Sequence, residues 1–110
     1  MAYDEAAARR SREVLGKYPG VTERKMFGGL AFLLDGHMCC GVLGGDLMVR
    51  VGPRGYEAAL SRPHTRKMDF TGKPLTGFVF VGPAGFGTKK DLDAWIGKAA
   101  AFVRTLPPKR

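Results

Sequence analysis

The spacing of apolar positions changes twice along the chain. From about Asp4 to Lys17, Ala7, Val14, Leu15 and Tyr18 recur at helical spacing on one face. Glu5, Arg9, Glu13 and Lys17 form an i,i+4 ladder of alternating sign on another face, where each exposed pair adds on the order of 0.3 kcal/mol. Tyr18-Pro19-Gly20 stops this helix. From Val21 to Val51 the pattern is that of strands: Thr22–Phe27, Leu30–Leu34, Met38–Leu43, then Leu47, Val49 and Val51 alternating with Met48 and Arg50. Asp35-Gly36 is a two-residue hairpin signal, because both central positions of that turn need positive φ. Gly44-Gly45 predicts a second tight turn by the same reasoning.

Helical spacing returns after Val51. Pro53 suits a first turn, where its missing N–H would have no partner, and Tyr56, Ala59 and Leu60 make an apolar face that ends by Pro63. Arg62–Lys67 reads as a basic loop and Lys67–Phe70 as a short extended segment. Gly77–Val81 (GFVFV) is a fifth, strongly β-prone strand. Thr88, with Asp91 three residues on, opens the last helix as a capping box with the shorter acid. Leu92, Trp95, Ile96, Ala99, Phe102, Val103 and Leu106 then make a wide apolar stripe, ended by Pro107-Pro108. The prediction is an α+β fold: an antiparallel β-meander of about five strands, with an N-terminal helix, a short middle helix and a long C-terminal helix packed on the sheet.

Length and composition narrow the reading. A chain of 110 residues fits one domain, residues 1–110, and buries roughly two-thirds of its unfolded surface. A hydrophobic fraction of 45% and a charged fraction of 25% fit an ordered globular chain. The charge is less ordinary: 18 Lys+Arg against 10 Asp+Glu give a formal +8. Such a surface favours polyanionic or acidic partners. The start, MAYDEAAARRSREV, places acids first and has no apolar core, unlike a secretory signal. The longest apolar run, Leu30–Leu34, is far too short for a bilayer. The expectation is a cytoplasmic protein with no membrane contact.

Few residues suggest chemistry. Cys39 and Cys40 are the only cysteines, and in a regular strand neighbours point to opposite faces, so the two thiols are not expected to converge. Without a second Cys pair no metal site is expected. His37 shares a strand face with Cys39 in ideal geometry, which leaves a Cys–His pair open, although no acid is placed to orient the imidazole. Cys40 is expected to pack with Met38 and Val42. Asp91 and Asp93 fall about 200° apart on a helix and do not form a carboxylate pair. Gly28-Gly29 fits neither glycine-rich phosphate motif and precedes a strand, so it reads as a bend. Gly85-Phe86-Gly87 opens a helix, as a flexible lead-in to the Thr88 cap. Arg62, His64, Arg66 and Lys67, with Lys73 close behind, form the densest basic cluster outside the first helix and are the candidate nucleic-acid-binding residues. No recognition helix or run of stacking aromatics accompanies them.

Lys25-Met26-Phe27-Gly28-Gly29, extended to Arg24 and Leu30, is followed by the Asp-Gly hairpin and by Asp46–Val51 (DLMVRV). With Arg66–Val81 (RKMDFTGKPLTGFVFV) and a closing helix bearing Trp95 and Phe102, this resembles the N-terminal domain of the TfoX/Sxy family over almost the whole chain. The resemblance implies a small α+β domain of the YjbR-like type and a link to transcriptional regulation of competence. Two-domain members carry a further C-terminal helical domain; this sequence, ending at Arg110, resembles the stand-alone members. The resemblance supplies no catalytic residues, and it leaves Lys25, Met26, Phe27, Gly28 and Gly29 with packing and chain-reversal roles.

The expectation is therefore a non-enzymatic regulatory or interaction domain without a cofactor, acting through a protein or nucleic-acid partner, as a monomer or homodimer. The alternatives are non-specific nucleic-acid binding through the basic surface, and a small ligand-binding protein or enzyme using the Cys39/His37 region.

Overall fold

The computed structural model describes residues 3–26, 28–69 and 75–107. Asp4 caps the first helix, α1 (Glu5–Leu15): its side chain accepts from the Ala6 and Ala7 amides. Four strands follow as a meander: β1 (Val21–Met26), β2 (Gly29–Leu34), β3 (His37–Leu43) and β4 (Asp46–Arg50). Then come α2 (Gly52–Leu60), β5 (Thr65–Lys67), β6 (Phe78–Val81), a 3₁₀ turn over Pro83–Phe86, and α3 (Lys89–Val103). All strand pairings are antiparallel, and the sheet order is β1-β2-β3-β4-β6-β5. The α+β architecture follows the sequence pattern, with a sixth, three-residue strand, β5, in the segment predicted to be a basic loop. It forms because Arg66 and Lys67 can pair with Phe80 and Val79 of β6.

The hairpin between β2 and β3 turns on Asp35 (φ 52°) and Gly36 (φ 85°), both left-handed as that two-residue turn requires. At the next turn only Gly44 (φ 57°) is left-handed. The predicted charge ladder along α1 does not form among the described residues. Arg12 pairs instead with Glu23 of β1 at 2.7 Å, and Lys17 with Asp93 of α3 at 2.9 Å. Arg12 thus ties α1 to β1, and Lys17, two residues past the end of α1, ties the following turn to α3.

The sheet has two unlike faces. On one, α1, α2 and α3 lay Ala8, Leu15, Ala59, Leu92, Ile96 and Ala99 over Phe32, Cys40, Val42, Leu47, Val49 and Val79. On the other, Ala31, Met48, Met68 and Phe80 form a smaller buried cluster, with half-buried Met26, Leu33, Met38, Leu43 and Phe78 around it. The alternation of strand side chains divides the strand residues between these faces, except at one irregularity described below.

Candidate functional site

Lys25 and Met26 end β1, and Met26 pairs with Gly29 across the β1–β2 turn. The two glycines have separate tasks. Gly28 takes a left-handed φ of 76° in the turn. A Cβ on Gly29 would stand 2.4 Å from the Val42 carbonyl oxygen of β3. Phe27 lies outside the described residues. The motif thus closes a hairpin and lets β3 approach.

The cysteines depart from expectation. The pairing of β2 with β3 slips between Phe32 and Leu33: Phe32 pairs with Cys40, but Leu33 pairs with Met38. Cys39 is the extra residue of this β-bulge, and it turns inward. Both thiols therefore lie on the helix-covered side, each fully buried, whereas Met38 belongs to the opposite face. The expected packing of Cys40 against Met38 is corrected by the same slip. A hydrogen bond between the thiols lowers the pKa of Cys39 and, together with burial, raises that of Cys40 well above its ordinary value. His37 does not join them. Its Nε2 lies 2.6 Å from the Pro107 carbonyl oxygen at the surface.

The basic segment divides between the two faces. Arg62 reaches the helix side, its guanidinium 5.5 Å from the centre of the Trp95 ring. Arg66 lies on the opposite side, 4.8 Å from the Phe80 ring centre and paired with Asp46 at 2.5 Å. Lys67 pairs in register with Val79, a helix-side position, and His64 sits exposed at a left-handed φ of 64°. Lys73 lies outside the described residues. Four candidate residues close in sequence are thus not gathered into one patch. Among the described residues, no group of three or more His, Cys, Asp or Glu could hold a metal ion.

The structure does gather residues between α2 and α3. A groove of about 570 Å³ is lined by Val51, Gly55, Ala58, Ala59 and Ser61 on one wall and by Lys98, Ala101 and Phe102 on the other, with Arg62 beside them. Arg62 also borders a smaller cleft of about 190 Å³ with His64, Asp91 and Trp95. Trp95 is held in place by its indole N–H, which donates to the Gly85 carbonyl at 3.1 Å.

A family model for the TfoX N-terminal domain matches residues 13–103. The chain belongs to the TfoX N-terminal domain family. Comparisons with curated proteins and with solved structures give no significant match. The matched span takes in the β1–β2 glycine pair, the bulge and both walls of the groove, so these are parts of a TfoX N-terminal domain and not additions to it.

In this TfoX N-terminal domain the groove exists because the facing residues are small. Gly55, Ala58 and Ala59 on α2 and Ala101 on α3 leave space that larger side chains would fill. Sequence reasoning overlooked Lys98 and Ala101, which do not fall on the apolar stripe of α3. The available signal was a lone cation set among Gly97, Ala99, Ala100 and Ala101, opposite a second helix that is also rich in small residues.

Proposed function

We propose that this TfoX N-terminal domain is a non-enzymatic regulatory module of the cytoplasm that works by binding an acidic protein partner. The observation that carries this reading is the state of its cations. Arg24, Lys25, Arg54, Lys67 and Lys98 are exposed and make no ion pair among the described residues, on a chain of formal charge +8. Such a surface attracts acidic partners and speeds encounter with them. The regulatory role is of the kind that the TfoX/Sxy resemblance implies. No helix among the described residues is long and apolar enough to cross a membrane, which agrees with a partner met in solution.

Nucleic acid is the second reading, favoured by the same unpaired cations. The protein reading is preferred because those cations are dispersed over β1, α2, β5 and α3, and Arg66 is already neutralised by Asp46. A duplex asks for several phosphate contacts in register. Titration with duplex and single-stranded DNA at two salt concentrations distinguishes the readings. Weak binding at low salt that vanishes near 0.15 M, together with capture of a protein from native cytosol that Arg24→Glu/Lys25→Glu or Arg54→Glu/Lys98→Glu abolishes, is the expected result. Tight DNA binding with a steep log-linear salt dependence, and no charge-sensitive protein capture, would overturn the proposal.

A further inference from the structure

The clefts of the domain differ in the charge that lines them. The cleft beneath α1, about 360 Å³, contains both Arg12 and Glu23, which neutralise each other. The small cleft beside Trp95 contains Asp91 as well as Arg62. The α2–α3 groove contains Arg62 and Lys98 and, among the described residues, no carboxylate. Its remaining lining is mainly apolar: Val51, Ala58, Ala59, Ala101 and Phe102. A trough whose lining is part polar and part apolar, with two cations and no anion, matches a molecule that is apolar at one end and negative at the other.

Size separates a small ligand from a docked protein. A volume of about 570 Å³ lies inside the usual range of small-molecule sites, roughly 300–1,000 Å³. A standard protein interface uses about 20–30 residues on each side. The groove is lined by 9. Arg62 is braced for recognition. Its guanidinium lies over the Trp95 ring, and that ring is anchored by its bond to Gly85. Placed there, Arg62 can offer its planar fork to a carboxylate, and Lys98 adds a point charge.

We propose that the α2–α3 groove binds a small amphipathic carboxylate, with its head group at Arg62 and Lys98 and its apolar tail along Ala58, Ala59, Ala101 and Phe102. The site goes beyond the acidic-partner reading and does not depend on it. It gives a module without catalytic machinery a means of responding to a metabolite class.

The test uses decanoate below its micelle concentration, with decanol and decyltrimethylammonium as matched neutral and cationic probes, read by amide chemical shifts on the full chain. Saturable decanoate binding is expected, with shifts confined to residues 51–62 and 95–104 and at least tenfold weaker binding of the other two probes. Arg62→Ala/Lys98→Ala should weaken decanoate at least tenfold. Ala101→Trp, at an exposed position that can take a large side chain without disturbing the core, should block it while circular dichroism stays unchanged. Equal binding of the three probes, non-saturable shifts spread over the surface, or undiminished binding by the folded Ala101→Trp variant would overturn the proposal. Absence of partner capture by the unaltered chain, with decanoate binding intact, would count against the partner reading alone.

Discussion

The two faces of the sheet are built from different side chains. The helix-covered face is filled by Val, Leu, Ile, Phe and Ala, with Ile96 and Val49 fully enclosed. The opposite face carries Met26, Met38, Met48 and Met68, four of the five methionines, together with Phe78 and Phe80. Branched aliphatic residues have few rotamers and specify one packing, whereas methionine adapts to irregular space. The helix side therefore defines the fold, and the methionine side tolerates change. The groove lies on the defining side, where α2 and α3 hold its walls in fixed relation to the core.

Core truncation should separate the faces most strongly. Ile96→Ala is expected to cost about 2–5 kcal/mol in denaturant unfolding. Met38→Ala, at a half-buried position on the other face, should cost about 1 kcal/mol. Equal losses would mean that both faces carry the fold alike.

The bulge offers the next test. Because Cys39 and Cys40 are both enclosed on the helix side, Cys39→Ser and Cys40→Ser should each destabilise by about 1–3 kcal/mol, through a buried hydroxyl with poor partners. A regular strand would instead place Cys39 on the methionine side, and its substitution would then be much the milder. A mild Cys39→Ser would remove the bulge from the account.

A smaller effect, of opposite sign, is expected in α1. Ser11 is fully buried and its hydroxyl has no hydrogen-bond partner among the described residues. Ser11→Ala removes that orphan and improves helix propensity, so a gain of about 0.5–1 kcal/mol should appear as a raised Tm. A loss would show that the hydroxyl has a partner.

The smallest effect concerns acid. Glu23 is held below its ordinary pKa by its hydrogen bond to Arg12, and Asp93 by its hydrogen bond to Lys17. A carboxyl lowered by folding stabilises fully above its unfolded pKa, about 4, and that contribution is lost as pH falls through the folded value. Both pairs are well exposed to solvent, so the loss should be slight and weakened by salt. Arg12→Ala/Lys17→Ala should flatten the stability profile below about pH 4 and leave it unchanged in shape above pH 6. An unaltered acid slope would show that these pairs contribute nothing.

Much of the fold was readable in the sequence, because it rests on local pattern, but the methionine face was not. The α3 stripe and the Asp35-Gly36 turn each follow from a few residues whose spacing has one good structural solution. β5 was not readable: Thr65-Arg66-Lys67 is short, polar and without alternation, and it becomes a strand only because β6 offers an edge. The bulge was hidden for a related reason. Its cause is the offset between β2 and β3, and nothing in HMCCGVL marks which residue is extra. The groove left still less trace, since it arises from what Gly55, Ala58 and Ala101 lack. The basic cluster looked compact because its members are close in sequence, yet the pairing of β5 with β6 sends Arg66 away from Arg62.

The proposal open to the most direct test is that the cation-lined groove on the helix side binds an amphipathic carboxylate. Trp95 is the single tryptophan and lies 5.5 Å from the Arg62 guanidinium at the edge of the groove, so its emission reports on that side chain. The account predicts a saturable change in Trp95 fluorescence on adding decanoate, with binding at least tenfold weaker in Arg62→Ala/Lys98→Ala and for decyltrimethylammonium. No change with decanoate, or the same change with the cationic probe, would contradict it.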